Sequence, residues 1–172
     1  MRALAWCALF VFVLLTFAAA PAGATAQSAP EGSYVLVSAD AQQSTIQSAI
    51  STATSGLGRD ARNEQRSWLE ELARPALRIQ IARVGTSVSV SSSQGIELRS
   101  PADATRVAIK GGWQLDQRLV EGALEQRIER AGIVQLYRYA LSADRRTLSI
   151  AVHITADSLL SPIAYTLSYR RE

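Results

Sequence analysis

From Ala76 to the C-terminus the apolar residues recur every second position, and this rhythm limits what the chain can fold into more than any other feature. Leu77, Ile79 and Ile81 alternate with Arg78, Gln80 and Ala82; Leu148, Ile150, Val152 and Ile154 alternate with Thr147, Ser149, Ala151 and His153. A period of two places one set of side chains on each face of a strand, so about a hundred residues read as half-buried β-structure. Strands are expected at 34–38, 77–82, 87–90, 96–98, 107–113, 118–126, 133–141, 147–155 and 163–169. Gly85, Gly95, the Ser142–Arg146 turn and Pro162 break the run. Gly111-Gly112 predicts a bulge or sharp bend, and Leu115-Asp116-Gln117 reads as a turn. The segment Arg118–Gln126 reads as one strand with Leu119, Glu121, Ala123 and Glu125 on a shared face, although Arg118–Arg130 also has helical propensity.

Ahead of Pro75 the period is near 3.6. Asp40 and Gln43 have the residue types of a capping box, followed by Ile46, Ala49, Ile50, Ala53 and Leu57 at helical spacing, and Gly56 and Gly58 stop that helix. A second helix opens near Asp60, places Ala61, Gln65, Trp68, Leu69 and Leu72 on one side, and ends at Pro75. The expected fold is therefore mainly β: an antiparallel up-and-down meander of about eight or nine strands, curled into a full or partial barrel. A two-helix insertion at about 41–74 follows the first strand and covers one opening or an open side. Curling is expected because a long open sheet exposes an apolar face and two unpaired edges.

The N-terminus reads as an address. Met1-Arg2 is a short basic start, Leu4–Ala20 is almost unbroken apolar sequence, and Ala22–Ala26 offers small residues for cleavage, the pattern of a secretory signal peptide over residues 1–26. The apolar run of roughly 17 residues is at the lower edge of a bilayer span, so an uncleaved anchor is the alternative. After cleavage no membrane span is expected. Cys7 precedes most of the apolar run, which argues against lipidation, and the mature chain has no Cys. A thiol-free exported chain suits a bacterial periplasm or the cell exterior. Residues 27–32 are expected to form a flexible leader, and 33–172 a single β domain.

Composition removes most chemistries. One His and one Cys in 172 residues leave no material for a His/Cys zinc site or a Cys/His nucleophile pair. Hydrophobic residues make up 48% of the chain, too many for a disordered tail. Apart from Lys110 the basic residues are all Arg, and acidic residues are interspersed with them, so no stripe emerges to track nucleic acid. No GxSxG elbow, GxGxxG or Walker pattern is present. Glu121 and Glu125, read as two positions of one strand, lie ~13 Å apart, too far for a glycosidase pair. Glu70-Glu71 point in different directions from the second helix, and His153 lies on the polar side of its strand. No catalytic, cofactor-binding or metal-binding residue is expected, nor any cofactor.

Four segments carry a resemblance: Gly32-Ser33-Tyr34-Val35-Leu36; the helical insert ending Ala73-Arg74-Pro75; Leu141–Ile150 (LSADRRTLSI); and Tyr-x-Leu-x-Tyr-Arg-Arg at 165–171. Over about residues 32 to 171 the chain resembles uncharacterised exported bacterial proteins with a lipocalin-like β meander. It departs from them at Arg145, where a Gly is usual, and in having Gly32-Ser33-Tyr34 for the Gly-x-Trp of true lipocalins. These motifs are hairpin signatures, and the resemblance implies a fold with no catalytic residue to carry over.

What remains is binding or structure. A closed meander either encloses an apolar cavity or fills its interior with side chains. The first case predicts an exported, non-enzymatic binding module for an apolar or amphiphilic small molecule such as a lipid, with Trp68, Tyr137, Tyr139, Tyr165 and Arg138 as candidate ligand-binding residues. Arg78, Arg106, Arg138 and Arg170 recur on strands, either as anchors for an acidic headgroup or as solvated exterior positions. The second case predicts an envelope structural or protein-interaction module with a filled core.

Overall fold

The structure, a computed structural model, describes residues 29–172. The expected signal peptide at 1–26 lies outside the described residues. Strand β1 (Gly32–Leu36) leads into helices α1 (Ala39–Thr54) and α2 (Arg59–Leu72). Nine further strands follow: β2 (Arg78–Val84), β3 (Ser87–Ser92), β4 (Glu97–Pro101), β5 (Val107–Ile109), β6 (Trp113–Val120), β7 (Ala123–Arg130), β8 (Ile133–Leu141), β9 (Thr147–Ala156) and β10 (Ile163–Arg171). They form one antiparallel sheet in the order β4-β3-β2-β1-β10-β9-β8-β7-β6-β5. The first strand thus lies between the last strand and β2, with Leu36 opposite Tyr169 and Tyr34 opposite Ile79.

The sheet curls until its two edges approach. No ladder joins β4 to β5, but the seam is bridged at one end. Asp103 and Arg118 form an isolated antiparallel bridge, and the Ala104 N–H donates to Gln117 O at 2.7 Å. The barrel is therefore nearly closed, which removes most of the exposed edge that an open ten-stranded sheet would leave.

The two-residue rhythm does what it implies. Tyr34, Leu36, Ile79, Ile81, Val88, Val90, Leu148, Ile150, Val152 and Ile154 all face a buried interior. Where the rhythm is misread, the cause is turn chemistry. Glu121 and Gly122 have φ of 51° and 77°, so Arg118–Gln126 is a hairpin between β6 and β7 rather than one strand. Leu115–Gln117 lies in the middle of β6 instead of turning. The sheet consequently has ten strands where eight or nine were expected. Glu121 sits in the turn and shares no strand face with Glu125.

Both expected helices are present. α1 buries Ile46, Ile50 and Ala53; α2 buries Leu69, with Gln65, Trp68 and Leu72 half-buried and Ala61 exposed. The capping box at Asp40 does not form: Asp40 lies within the first turn, and Ser38 enters the helix left-handed (φ 50°) with no side-chain cap. Gln42 supplies the joint instead. Its amide nitrogen donates to Val37 O and to Ser168 O (2.8 Å), and its Oε1 accepts the Ser168 N–H at 2.8 Å. One side chain thereby continues the β1–β10 pairing past the point where the backbone leaves for α1.

The end of the expected leader is held in place. Pro30 is buried, the Tyr34 hydroxyl is shared between Pro30 O and Glu31 O, and Arg171 donates to Glu31 O at 2.9 Å.

Candidate functional site

The barrel interior has a filled half and a hollow half. In the filled half Gln117 and Gln126, which are directly opposed on β6 and β7, sit almost fully buried among apolar side chains. The Gln126 amide donates to Gln117 Oε1, the Tyr139 hydroxyl donates to Gln126 Oε1 at 2.7 Å, and Gln117 Nε2 donates to Val88 O and Ser100 Oγ. Each buried polar group thus has a partner, which is the condition for placing amides in a core.

The other half encloses a cavity of about 950 Å³. Its walls are aliphatic and aromatic: Ile79, Val90, Ile128, Ile150 and Leu167 from the strands, with Tyr137, Tyr139, Tyr165 and Tyr169 among them. Its mouth lies between the C-terminal turn of α2, the β3–β4 turn and the Lys110–Gly112 turn ahead of β6. The exit of α2 is tied down on two sides. Tyr169 donates to Ala76 O at 2.9 Å, and the Gln94 amide reaches Arg74 O and Pro75 O at 3.4 and 3.3 Å. Trp68 is fixed by its indole N–H, which donates to Gln65 Oε1 at 2.6 Å. Arg130 lies 4.5 Å from the centroid of the Trp113 ring, a cation–π contact, and donates to Gly111 O at 3.1 Å.

Four of the five residues expected to meet a ligand come together here: Trp68, Tyr137, Tyr139 and Tyr165 all line the cavity. Tyr137 and Tyr139 stack with ring centroids 6.2 Å apart. Arg138 does not join them. It lies between two inward tyrosines on β8, so strand alternation points it outward, where it pairs with Glu125. That carboxylate also takes Arg118 at 2.8 Å. Partial burial works against its charge, but the two guanidinium bonds prevail and hold the Glu125 carboxyl below its ordinary range. Arg138, Glu125 and His153 line a solvent-facing concavity on the outside of the sheet. Arg78 and Arg106 are likewise exposed, paired with Glu172 and with Asp116 and Glu129, and Arg170 is exposed.

Gln135 and Trp113 line the cavity without having been singled out in the sequence, and Tyr169 lines it beside the other three tyrosines. For Gln135 the signal was present, since it shares parity with Tyr137 and Tyr139 on β8. The Tyr137 hydroxyl donates to Gln135 Oε1 at 2.6 Å. Burial pushes the Tyr137 phenol up to about 12 and raises those of Tyr139, Tyr165 and Tyr169 as well, so all four are neutral donors at physiological pH. The deep wall offers a ligand apolar surface and uncharged hydrogen-bonding groups.

No family model matches the sequence, and no curated protein matches it. Solved structures do. A secretary abundant heat soluble protein from Ramazzottius varieornatus superposes with a TM-score of 0.51 at 10% identity, covering 86% of this chain and 98% of that one. The fluorescent protein UnaG gives 0.49 at 11% identity (83% and 96%), and fatty-acid-binding protein 1 of Echinococcus granulosus gives 0.46 at 7% (82% and 96%). At such identities the likeness speaks to fold alone. The chain is a nearly closed, lipocalin-like antiparallel β-barrel with a helical pair after its first strand.

Proposed function

We propose that the protein is an exported, non-enzymatic binding module that holds an apolar or amphiphilic small molecule in the hollow half of its barrel. One observation carries this reading: a cavity of about 950 Å³ walled by aliphatic and aromatic side chains inside an otherwise well-packed domain. That size lies within the range of about 300–1,000 Å³ typical of small-molecule sites. Native interiors otherwise close-pack, and apolar walls left facing one another across open space forgo dispersion contacts that a ligand restores. The hollow speaks against the alternative of an envelope structural or protein-interaction module with a filled core.

The non-enzymatic part rests on the wall chemistry. Deep in the cavity stand amides, phenols and hydrocarbon, without a paired nucleophile and base, and His153 is on the outer face. The export part rests on the basic start, apolar run and small-residue cleavage region of residues 1–26, which point to the periplasm or the cell exterior.

Native mass spectrometry of the protein isolated from its own host tests both. The expected result is a chain shortened by about 26 residues that carries a co-purifying lipid or other apolar molecule. A full-length chain overturns the export reading. A consistently empty chain that also fails to take up an apolar fluorescent probe overturns the binding reading.

A further inference from the structure

Gln135 narrows the ligand class, and the argument rests on the binding reading above. Its side chain faces the hollow from β8 and is 5% exposed. The Tyr137 hydroxyl occupies Oε1, which orients the amide. Its Nε2 has no hydrogen-bond partner among the described residues, and it is open to the cavity rather than sealed in protein. The other two buried glutamines of the barrel interior differ. Gln117 donates its amide nitrogen to Val88 and Ser100, and Gln126 to Gln117. Gln135 alone keeps its donor for whatever fills the space.

The charges are elsewhere. Glu71, Arg74, Glu97, Lys110 and Arg130 are the charged residues of the lining, and every one is exposed at the mouth. An anionic headgroup held against Gln135 would lose its water, and the lining has no buried cation to pair with it, which is unfavourable. A carbonyl oxygen at that point accepts the waiting N–H and leaves no charge buried. We propose that the cavity takes a neutral apolar molecule bearing a carbonyl-type oxygen, and that this oxygen accepts a hydrogen bond from Gln135 Nε2.

The test compares three probes of equal chain length on delipidated protein from its own host: a long-chain methyl ketone, the alkane and the ionised fatty acid at pH 8. Binding is followed by Trp68 and Trp113 emission. The ketone should bind roughly three- to tenfold tighter than the alkane, the worth of one neutral hydrogen bond, and tighter than the acid. Gln135→Met should bring the ketone-to-alkane ratio to about one, whereas Arg138→Gln, on the outer face, should leave it unchanged. Should Gln135→Met fail to fold, the infrared stretch of a ¹³C-labelled ketone carbonyl in the unaltered protein decides: it should fall to the frequency of a hydrogen-bonded carbonyl. A ratio of one in the unaltered protein, a ratio that survives Gln135→Met, an acid that binds more tightly than the ketone, or an unshifted carbonyl overturns the assignment. Alkane binding without ketone preference defeats only this inference, while failure of all three probes defeats the binding reading with it.

Discussion

Gln117 on β6 donates through Nε2 to Ser100 Oγ on β4 at 2.8 Å, across the one seam of the barrel that no backbone ladder closes. Gln117 is fully buried, and the same nitrogen reaches Val88 O at 2.9 Å. With Gln126 and Tyr139 behind it, the amide forms a polar bar across the interior from β3 to β8. This bar explains why one end of the barrel is filled and held shut while the other gapes around a cavity.

Gln117→Leu keeps the volume but leaves Ser100 Oγ, Val88 O and the Gln126 amide without their partner. Buried groups orphaned in this way cost about 1–3 kcal/mol each when no water replaces the bond, so a loss of roughly 2–4 kcal/mol in urea denaturation is expected. Ser100→Ala removes a single contact and should cost only about 1 kcal/mol. Amide exchange along Glu97–Pro101 should accelerate in Gln117→Leu; unchanged protection there would show that the seam is held by something else.

The first of two similar hairpins accounts for the strand that the sequence pattern merged. Glu121-Gly122 and Ala131-Gly132 both have positive φ at both positions (51° and 77°; 47° and 79°), the requirement of a type I′ turn. Asn-Gly announces such a turn; Glu-Gly and Ala-Gly do not. Glu121→Asn and Ala131→Asn should each raise stability by a few tenths to about 1 kcal/mol, because Asn tolerates the left-handed region at lower cost. Gly132→Ala should do the opposite, since an added Cβ would run into the Asp157 carboxylate as well as straining φ. Thermal midpoints of the three variants check the signs.

The legible part of the site follows the same logic. Strand parity carries the information that Tyr137, Tyr139 and Gln135 face in and Arg138 out, because positions 135, 137 and 139 of β8 share a face. Helical spacing put Trp68 beside Leu69 and Leu72. What parity cannot encode is volume. Whether inward side chains meet across the barrel depends on strand number, tilt and the fit of residues as far apart as Val90 and Tyr165, and the Gln117–Ser100 tie spans 17 positions.

All five tyrosines have phenols raised above the ordinary value by burial; at Tyr34 the nearby Arg171 partly offsets this. A raised folded pKa means that the folded state holds protons which the unfolded chain has already released. The associated stability is present below pH ~10 and is lost as pH climbs toward and beyond 12. Tyrosinate absorbance should therefore appear together with the loss of near-ultraviolet circular dichroism. Phenolate forming several pH units before unfolding would mean that the interior is hydrated.

Val88 and Val90 point into the same barrel from one strand, 2% and 6% exposed, yet Val90 lines the hollow half and Val88 the filled half. Enlarging both to Phe separates the two halves energetically. Val88→Phe forces extra volume into a packed region beside the Gln117 bar and should cost about 1–3 kcal/mol. Val90→Phe adds a ring to open space lined by hydrocarbon, so added burial offsets strain and stability should stay within about 1 kcal/mol of the unaltered protein. The same variant should lose uptake of an apolar fluorescent probe, because the ring occupies the ligand's volume. Chemical denaturation of the pair gives the answer directly: equal losses at both positions would mean that the interior is uniformly packed, and a larger loss at Val90 would place the hollow elsewhere in the barrel.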